Sequence, residues 1–582
     1  MSLKWVPKSA IVLRNYSRQA FVSDLIAGVT VGLVALPLAM AFAIASGVPP
    51  QAGLYCAVIA GFLISALGGS RVQIGGPTGA FVIVVSGIVA KYGIDGLFTC
   101  TGIAGIMLVL LGATGLGSAV KYIPRPVIVG FTNGIAVVIA STQLKDFFGL
   151  RIDHVPGDFL GRLESVAQNF RTISLDETAL ALLALIVILG FRKYVPRVPG
   201  YIVALVVGTA LVVIFRLPVA TIGTRFGGIP SGLPPLRAPQ FRPDLVRHMI
   251  SPAITVAVLG AIESLMSAVV ADRQFGRGEK HNPNVELIGQ GVANFFSPLM
   301  GGLPATGAIA RTATNIRCGA QTPVAGMIHA LTLLAILLFA APLAKFIPLA
   351  VLSAILLVVA YNMGEWGEIP ELLKLSRLEA GTWLATFLLT VFADLTVAVE
   401  AGMIMAALVF IRKVTATTTI SQVTDEYVEE GRVHILQGKE IPAYVTIFRI
   451  HGPFLFGAAD KIEDLVSRIP ELPPIIILRL RNMTAIDATG LHALEHLADR
   501  VHASGRGLIL CGAPAQPARL MRQAEFEEHV GLENVCANVA EALARAQVLY
   551  AETSTANPAA APALGNLPAQ PKETAKPVTY NG

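Results

Sequence analysis

The chain has 582 residues, of which 54% are apolar and 14% charged, with a formal net charge of +6. Soluble globular proteins carry about 25% charged residues, and the deficit here is concentrated: residues 25–70 hold no Asp, Glu, Lys or Arg, and 96–120 and 318–344 are equally bare. Roughly 20 apolar residues cross a bilayer, which excludes a soluble enzyme, a disordered chain and a single-anchor protein. The basic balance requires no nucleic-acid partner, because multispanning proteins carry Lys and Arg on their cytoplasmic side.

In chain order, apolar stretches between charged or Pro/Gly punctuation predict fourteen segments. They lie near 24–46, 51–67, 78–90, 97–117, 126–144, 177–191, 199–215, 250–271, 284–297, 306–317, 323–340, 347–361, 379–393 and 395–411. The third and tenth are too short to span. Each follows a Gly/Pro-rich lead-in, Gly75-Gly76-Pro77-Thr78-Gly79-Ala80 and Gly301-Gly302-Leu303-Pro304-Ala305-Thr306-Gly307-Ala308. The shared Thr-Gly-Ala recurs 228 residues apart, and the same offset carries Asp24, opening segment one, to Pro252, opening segment eight. Paired, interrupted short segments point to a transporter with inverted repeats. The expected fold is therefore a polytopic α-helical membrane protein, seven plus seven segments, with two half-helices.

An even number of spans puts both termini on one side. Lys and Arg in the N-terminus, Arg192, Lys193, Arg197, Arg412 and Lys413 favour the cytoplasm, although 216–247 on the opposite side holds five arginines. The expected divisions are a cytoplasmic N-terminus 1–20, a transmembrane domain 21–413, a small α/β domain 414–550 and a disordered tail 551–582. In the α/β part, 443–450 and 475–480 read as strands, 484–490 as a loop into a helix from Leu491, and 507–511 as a strand. Helical patterns occupy 459–468, 515–525 and 538–548. The five cysteines are scattered without metal-ligand spacing, and no phosphate-binding GxxxxGKS or GxxxxGKT motif occurs. No metal, cofactor or catalytic residue is expected, and no cleavable signal peptide.

An ionisable side chain inside a membrane is a functional hypothesis by default. Glu263 lies midway along segment eight and Arg311 one turn into segment ten. They are read either as a salt bridge locking two helices or as functional groups. Thr78, Gly79, Ala80, Thr306, Gly307 and Ala308 stand at the two half-helix starts, where unpaired N–H groups and the helix dipole favour an anion. The same small residues also suit plain helix packing. Asp394 is placed at an interfacial turn, and Asn284 and Glu286 are read as caps of segment nine.

Several runs together resemble the sulfate permease family. They are Asp24-Leu25-Ile26-Ala27-Gly28 with Ala35-Leu36-Pro37, the Gly-Gly-Pro-Thr-Gly lead-in, and Gly260-Ala261-Ile262-Glu263-Ser264. Glu286-Leu287-Ile288-Gly289-Gln290-Gly291 and Thr306 through Ala310-Arg311-Thr312 complete the set. The resemblance covers about 20–550 and implies core and gate domains with anion binding between segments three and ten. It also implies a cytoplasmic STAS domain, in which Asp487-Ala488-Thr489-Gly490 matches an Asp-Ser-Ser-Gly loop and Thr489 falls at the phosphorylatable position.

Sodium-coupled bicarbonate members keep an Asp in segment eight, a hydroxyl residue where Ile309 stands and no arginine at 311. Glu263 with Arg311 instead resembles proton-coupled sulfate and bacterial C4-dicarboxylate members. Lys145-Asp146-Phe147 and His154-Val155-Pro156 strengthen the likeness to the dicarboxylate type, and Leu38 replaces the glutamine of many sulfate carriers. The implied function is secondary active transport of a small anion, coupled to protons, by a homodimer in the bacterial inner membrane. The anion contacts Thr78, Gly79, Ala80, Thr306, Gly307, Ala308 and Arg311. Glu263 carries the proton, supported by Ser267, and anion and proton bind cooperatively. The soluble domain serves assembly, trafficking or a cytoplasmic partner. The alternatives are sodium-coupled bicarbonate transport, anion exchange, a channel, nucleobase–proton symport or a membrane-anchored signalling protein.

Overall fold

The computed structural model describes residues 5–117, 124–152, 155–195, 198–233, 236, 243–276, 280–375, 377–393, 395–423, 441–456 and 460–556. They fall into two compact units, Met1–Ala406 and Ala407–Gly582.

The first unit is helical. It runs α1 (Lys8–Val12), α2 (Arg18–Ala45), α3 (Pro50–Leu67), β1 (Gly75–Gly76), α4 (Ala80–Ala113), α5 (Arg125–Phe148), α6 (Phe159–Gln168), α7 (Leu175–Tyr194) and α8 (Gly200–Phe215). The chain continues as α9 (Ile222–Phe226), α10 (Pro243–Phe275), α11 (Pro283–Leu299), β2 (Thr306–Gly307), α12 (Ile309–Arg317), α13 (Val324–Phe339), α14 (Leu349–Met363), α15 (Ile369–Leu375), α16 (Arg377–Phe392) and α17 (Leu395–Thr417), whose residues from 407 belong to the second unit. Six of the described helices are long and apolar enough to cross a membrane, Arg18–Ala45 and Leu245–Phe275 among them. Each of the fourteen expected segments lies on a helix. The third and fourth share α4, broken at Gly93, whose φ of 71° and ψ of −172° leave the helical region. That left-handed φ is accessible to glycine at little cost. The tenth is the nine-residue α12, about 14 Å long and so unable to span alone.

Similar helix pairings occur in the earlier and later parts of the chain. α2 packs on α13 as α10 packs on α4, α3 on α13 as α11 on α4, and α5 on α16 as α14 on α7. Small residues bring these backbones close. A Cβ on Gly105 of α4 would lie 2.7 Å from the Gly291 carbonyl of α11, and one on Gly28 of α2 would lie 2.5 Å from the Ala325 carbonyl of α13.

Two buried carboxylates fasten this framework. Asp24 accepts from the N–H groups of Gln321 (2.6 Å) and Thr322 (3.0 Å), the Thr322 hydroxyl (2.5 Å) and the Tyr16 hydroxyl (3.0 Å). Glu286 does not cap its own helix, as the sequence suggests, because Asn282 occupies that place. Its Oε2 instead accepts from the N–H groups of Gly69 (2.8 Å) and Ser70 (2.9 Å), closing the turn after α3. Asn284 likewise reaches away, accepting from Gly117 N–H at 3.1 Å. Asp24→Ala leaves one buried and one half-buried backbone donor without an acceptor, which costs about 2–4 kcal/mol. A clear fall in the thermal midpoint of the detergent-purified chain is expected, and an unchanged midpoint would contradict this account.

In the second unit, β3 (Thr419–Gln422), β4 (Val445–Phe454), β5 (Ile475–Ile486), β6 (Gly507–Cys511) and β7 (Val535–Cys536) form one sheet in that order, parallel except for the antiparallel β3–β4 pair. Helices Asp460–Arg468, Ala488–Ala503, Ala515–Gln523 and Val539–Ala556 accompany it. β5 runs through Thr484-Ala485-Ile486, which the sequence pattern assigns to a loop, since bulged pairing with β4 extends to Phe454 opposite Ile486. Cys511 and Cys536 are register partners. Burial pushes the Cys511 thiol up to about 11, so it remains protonated and unreactive at neutral pH. α17 passes the expected boundary at 413, and the last helix reaches Ala556 inside the expected tail; residues 557–582 lie outside the described ones.

Candidate functional site

β1 and β2 pair antiparallel, Gly75 opposite Gly307 and Gly76 opposite Thr306. Each strand leads directly into a half-helix, so the pairing sets the starts of α4 and α12 side by side and sends the helices away in opposite directions. First-turn N–H groups have no acceptor within their own helix, and two such sets therefore converge on one place.

α10 braces this crossing. The Thr306 hydroxyl donates to the Gly260 carbonyl at 3.0 Å and lies 2.9 Å from the Ser264 hydroxyl, which also accepts from Gly307 N–H at 3.0 Å. Ser267 lies 3.2 Å from the Thr312 hydroxyl, and that oxygen accepts from Ile74 N–H at 3.0 Å. Asn294 of α11 holds Ala305 through both its N–H and its carbonyl at 2.8 Å.

The two charges meet through neighbouring residues of one strand exit. Arg311 Nη2 donates to the Pro77 carbonyl, while Glu263 Oε2 accepts from the Thr78 hydroxyl at 2.9 Å. No direct Glu263–Arg311 ion pair forms among the described residues, so the salt-bridge reading gives way to a linkage across Pro77–Thr78. Arg311 is 3% exposed, and its Nη1 has no protein partner. Gly76 makes room for it, since a Cβ there would lie 2.7 Å from Nη1.

Beside these groups is a cavity of about 530 Å³. Thr78, Gly79, Glu263, Gly307, Ala308 and Arg311 line it. Ala80, Thr306 and Ser267 are buried and do not line it; the last two spend their hydroxyls on the bracing contacts above. The Ala308 N–H donates to the Ile74 carbonyl at 2.8 Å, which leaves that residue's backbone donor engaged. Along α10 the cavity runs from Leu259 to Gln274, about 22 Å at helical rise. Gln274 and Arg317 stand at the ends of α10 and α12, Val127 and Tyr201 near the starts of α5 and α8, and Asn362 at the end of α14. All of these stand near helix ends. Its other walls are mainly apolar, with Val34, Leu38, Phe42, Phe131 and Met363.

Several contributors escape the sequence pattern. Thr312 and the Pro77 carbonyl act through contacts spanning more than 200 residues, with Ile74 and Arg311, while Ser264 and Asn294 brace the neighbouring Gly307 and Ala305. Glu365, whose N–H donates to Asn133 at 2.7 Å, also lines the cavity. Asp394 and His154 lie outside the described residues. In the second unit Asp487 caps the helix, accepting from Gly490 N–H at 2.8 Å and Phe456 N–H at 3.0 Å, and Thr489 is exposed on its first turn. Among the described residues no cluster of three His, Cys, Asp or Glu could hold a metal ion.

Comparison with known proteins accords with this arrangement. The sulfate permease family profile matches residues 21–386 and the STAS domain profile residues 438–542. YvdB of Bacillus subtilis, a candidate sulfate transporter, is 40% identical over 523 residues, covering 90% of this chain and 97% of its own. The transmembrane domain of a cyanobacterium bicarbonate transporter, BicA, superposes with a TM-score of 0.59 at 34% identity, covering 67% of this chain and 98% of that domain. The murine Solute Carrier 26 family member A9 anion transporter, in its inward-facing state, shares the fold with a TM-score of 0.83 at 19% identity, covering 94% of each chain. With a half-helix crossing at its centre and these matches along nearly its whole length, the chain belongs to the sulfate permease family, as a multi-pass membrane anion transporter with a C-terminal STAS domain.

Proposed function

We propose that the chain is a proton-coupled symporter of a small oxyanion or C4-dicarboxylate, working by alternating access. The observation that carries this reading is the attachment of Arg311 and Glu263 to adjacent residues, Pro77 and Thr78, beside one cavity. An anion in that cavity meets the half-helix starts and the buried guanidinium, while Glu263 provides a carboxylate for the proton. Alternating access would be served by two seven-segment inverted halves, and the exchange of packing partners between halves supports that division. Homodimer assembly, a bacterial inner-membrane location with cytoplasmic termini, and an assembly or regulatory role for the soluble domain with Thr489 belong to the same proposal. So do the divisions at 20, 413 and 550.

Bicarbonate transport is the second reading, favoured by the 34% identity to the BicA transmembrane domain. Against sodium coupling, the side chain of Ile309 supplies no oxygen where a hydroxyl would, and hard cations take oxygen ligands. Proteoliposomes given labelled sulfate, succinate or bicarbonate, with and without a pH gradient, separate the readings. Accumulation of sulfate or succinate driven by an inward proton gradient without sodium is expected. Bicarbonate uptake that depends on sodium would overturn the proposal.

A further inference from the structure

The wall that α12 gives the substrate cavity carries a second cation. We propose that Arg317 recruits anions into this cavity and favours divalent over monovalent ones, an inference that rests on reading the cavity as the substrate site. Ala310, Arg311, Ala313, Thr314 and Arg317 all line it, and spacings of three and four residues place them on one face of the helix. Arg311 and Arg317 are six residues apart, about 9 Å along the axis.

Exposure rises along this wall, with Arg311 buried, Thr314 half-buried and Arg317 exposed. The wall supplied by α10 changes in the same way, from half-buried Glu263 to exposed Gln274. Charged and amide side chains are costly in hydrocarbon, so these exposed ends belong in water. An anion arriving from water along these walls meets Arg317 before Arg311.

Among the described residues Arg317 makes no hydrogen bond or ion pair, and the carboxylates that could claim it are engaged elsewhere. Two line the cavity. Glu263 accepts from Thr78 and has Arg311 as its charged neighbour, while the charged neighbours of Glu365 are Glu368 and Arg125. Asp24, which ties down the segment after α12, already accepts from four donors. Asp272, near the end of α10, accepts from His281 N–H at 3.0 Å and lies 2.7 Å from the His281 ring nitrogen.

A cation in the last turn also suits the α12 dipole, but that role is blind to the charge of the anion. Recruitment is not. Enrichment of an ion near a fixed charge grows exponentially with the ion's own charge, so the factor for a dianion is the square of that for a monoanion. At about 4 Å in water, one unit charge gives roughly fivefold for a monoanion and roughly 25-fold for a dianion. Salt screens both.

The test uses the full-length chain in proteoliposomes, with labelled sulfate and succinate as dianions and labelled bicarbonate as the monoanion. In low salt, Arg317→Gln should slow initial uptake at low anion concentration about 25-fold for the dianions and about fivefold for bicarbonate, with the loss in apparent affinity rather than maximal rate. Arg317→Lys should keep most of both, unlike Arg311→Lys, because recruitment needs a charge and no planar fork. Raising the ionic strength should narrow the parent's own preference for dianions, a measurement that needs no variant. Equal losses for the two anion classes, parental uptake in Arg317→Gln, or a parental preference indifferent to salt would overturn the inference. Parental uptake that ignores the proton gradient, with the Arg317 pattern intact, would instead remove proton coupling and leave Arg317 in this role.

Discussion

Arg311→Ala should reduce anion uptake in proteoliposomes by roughly 10- to 100-fold, while Arg311→Lys retains a measurable part. A hydrogen bond to a charged group contributes about 1.5–3 kcal/mol, and in this site the guanidinium is buried. One of its nitrogens is committed to the Pro77 carbonyl and the other, Nη1, has no protein partner. A planar fork with one arm anchored holds the remaining arm in place for a ligand. Lysine keeps the charge but must choose between Pro77 and the anion, so its deficit should appear in apparent affinity more than in maximal rate. Alanine removes the charge and loosens the β1 exit together. Equilibrium anion binding, measured beside uptake at matched folded yield, separates these effects. Parental binding by Arg311→Ala would remove Arg311 from the substrate site.

Much of this was legible in the residues because membranes impose coarse, one-dimensional rules. Charge-free runs located the helices, and the repeated Thr-Gly-Ala located both half-helix starts. Glu263 and Arg311 stood out because charge is rare in such runs. What the sequence hid were relations between distant segments. The repeated threonines read as equivalents, yet Thr78 faces Glu263 at the cavity while Thr306 turns to the Gly260 carbonyl. That difference depends on which side of the β1–β2 pair α10 covers, and no local pattern encodes it. The capping role read for Glu286 failed, and the role of Asp24 went unread, for a related reason. Local capping rules describe a carboxylate near its own helix end, whereas these two reach segments 216 and 298 residues away. β7, of two residues, is too short for alternation to register.

Glu263→Gln should uncouple transport from the proton gradient while leaving the anion pathway intact. Glutamine keeps a carbonyl oxygen that can accept from the Thr78 hydroxyl, so the linkage through Pro77–Thr78 survives and only the titratable charge is lost. Anion exchange and equilibrium binding should therefore stay within about threefold of the parent, less than the loss of one net hydrogen bond. Accumulation behaves differently. If one proton moves with each anion, a gradient of one pH unit supplies about 1.4 kcal/mol, enough for tenfold accumulation. With membrane potential clamped, the parent should show that dependence, whereas Glu263→Gln should equilibrate the anion at the same ratio with or without the gradient. Thr78→Val provides the complementary case, removing the hydroxyl but keeping the carboxylate, and should remain coupled with altered pH dependence. If Glu263→Gln still concentrates anion as steeply as the parent, the proton uses another group. Glu365, which lines the same cavity, is then the carboxylate to test.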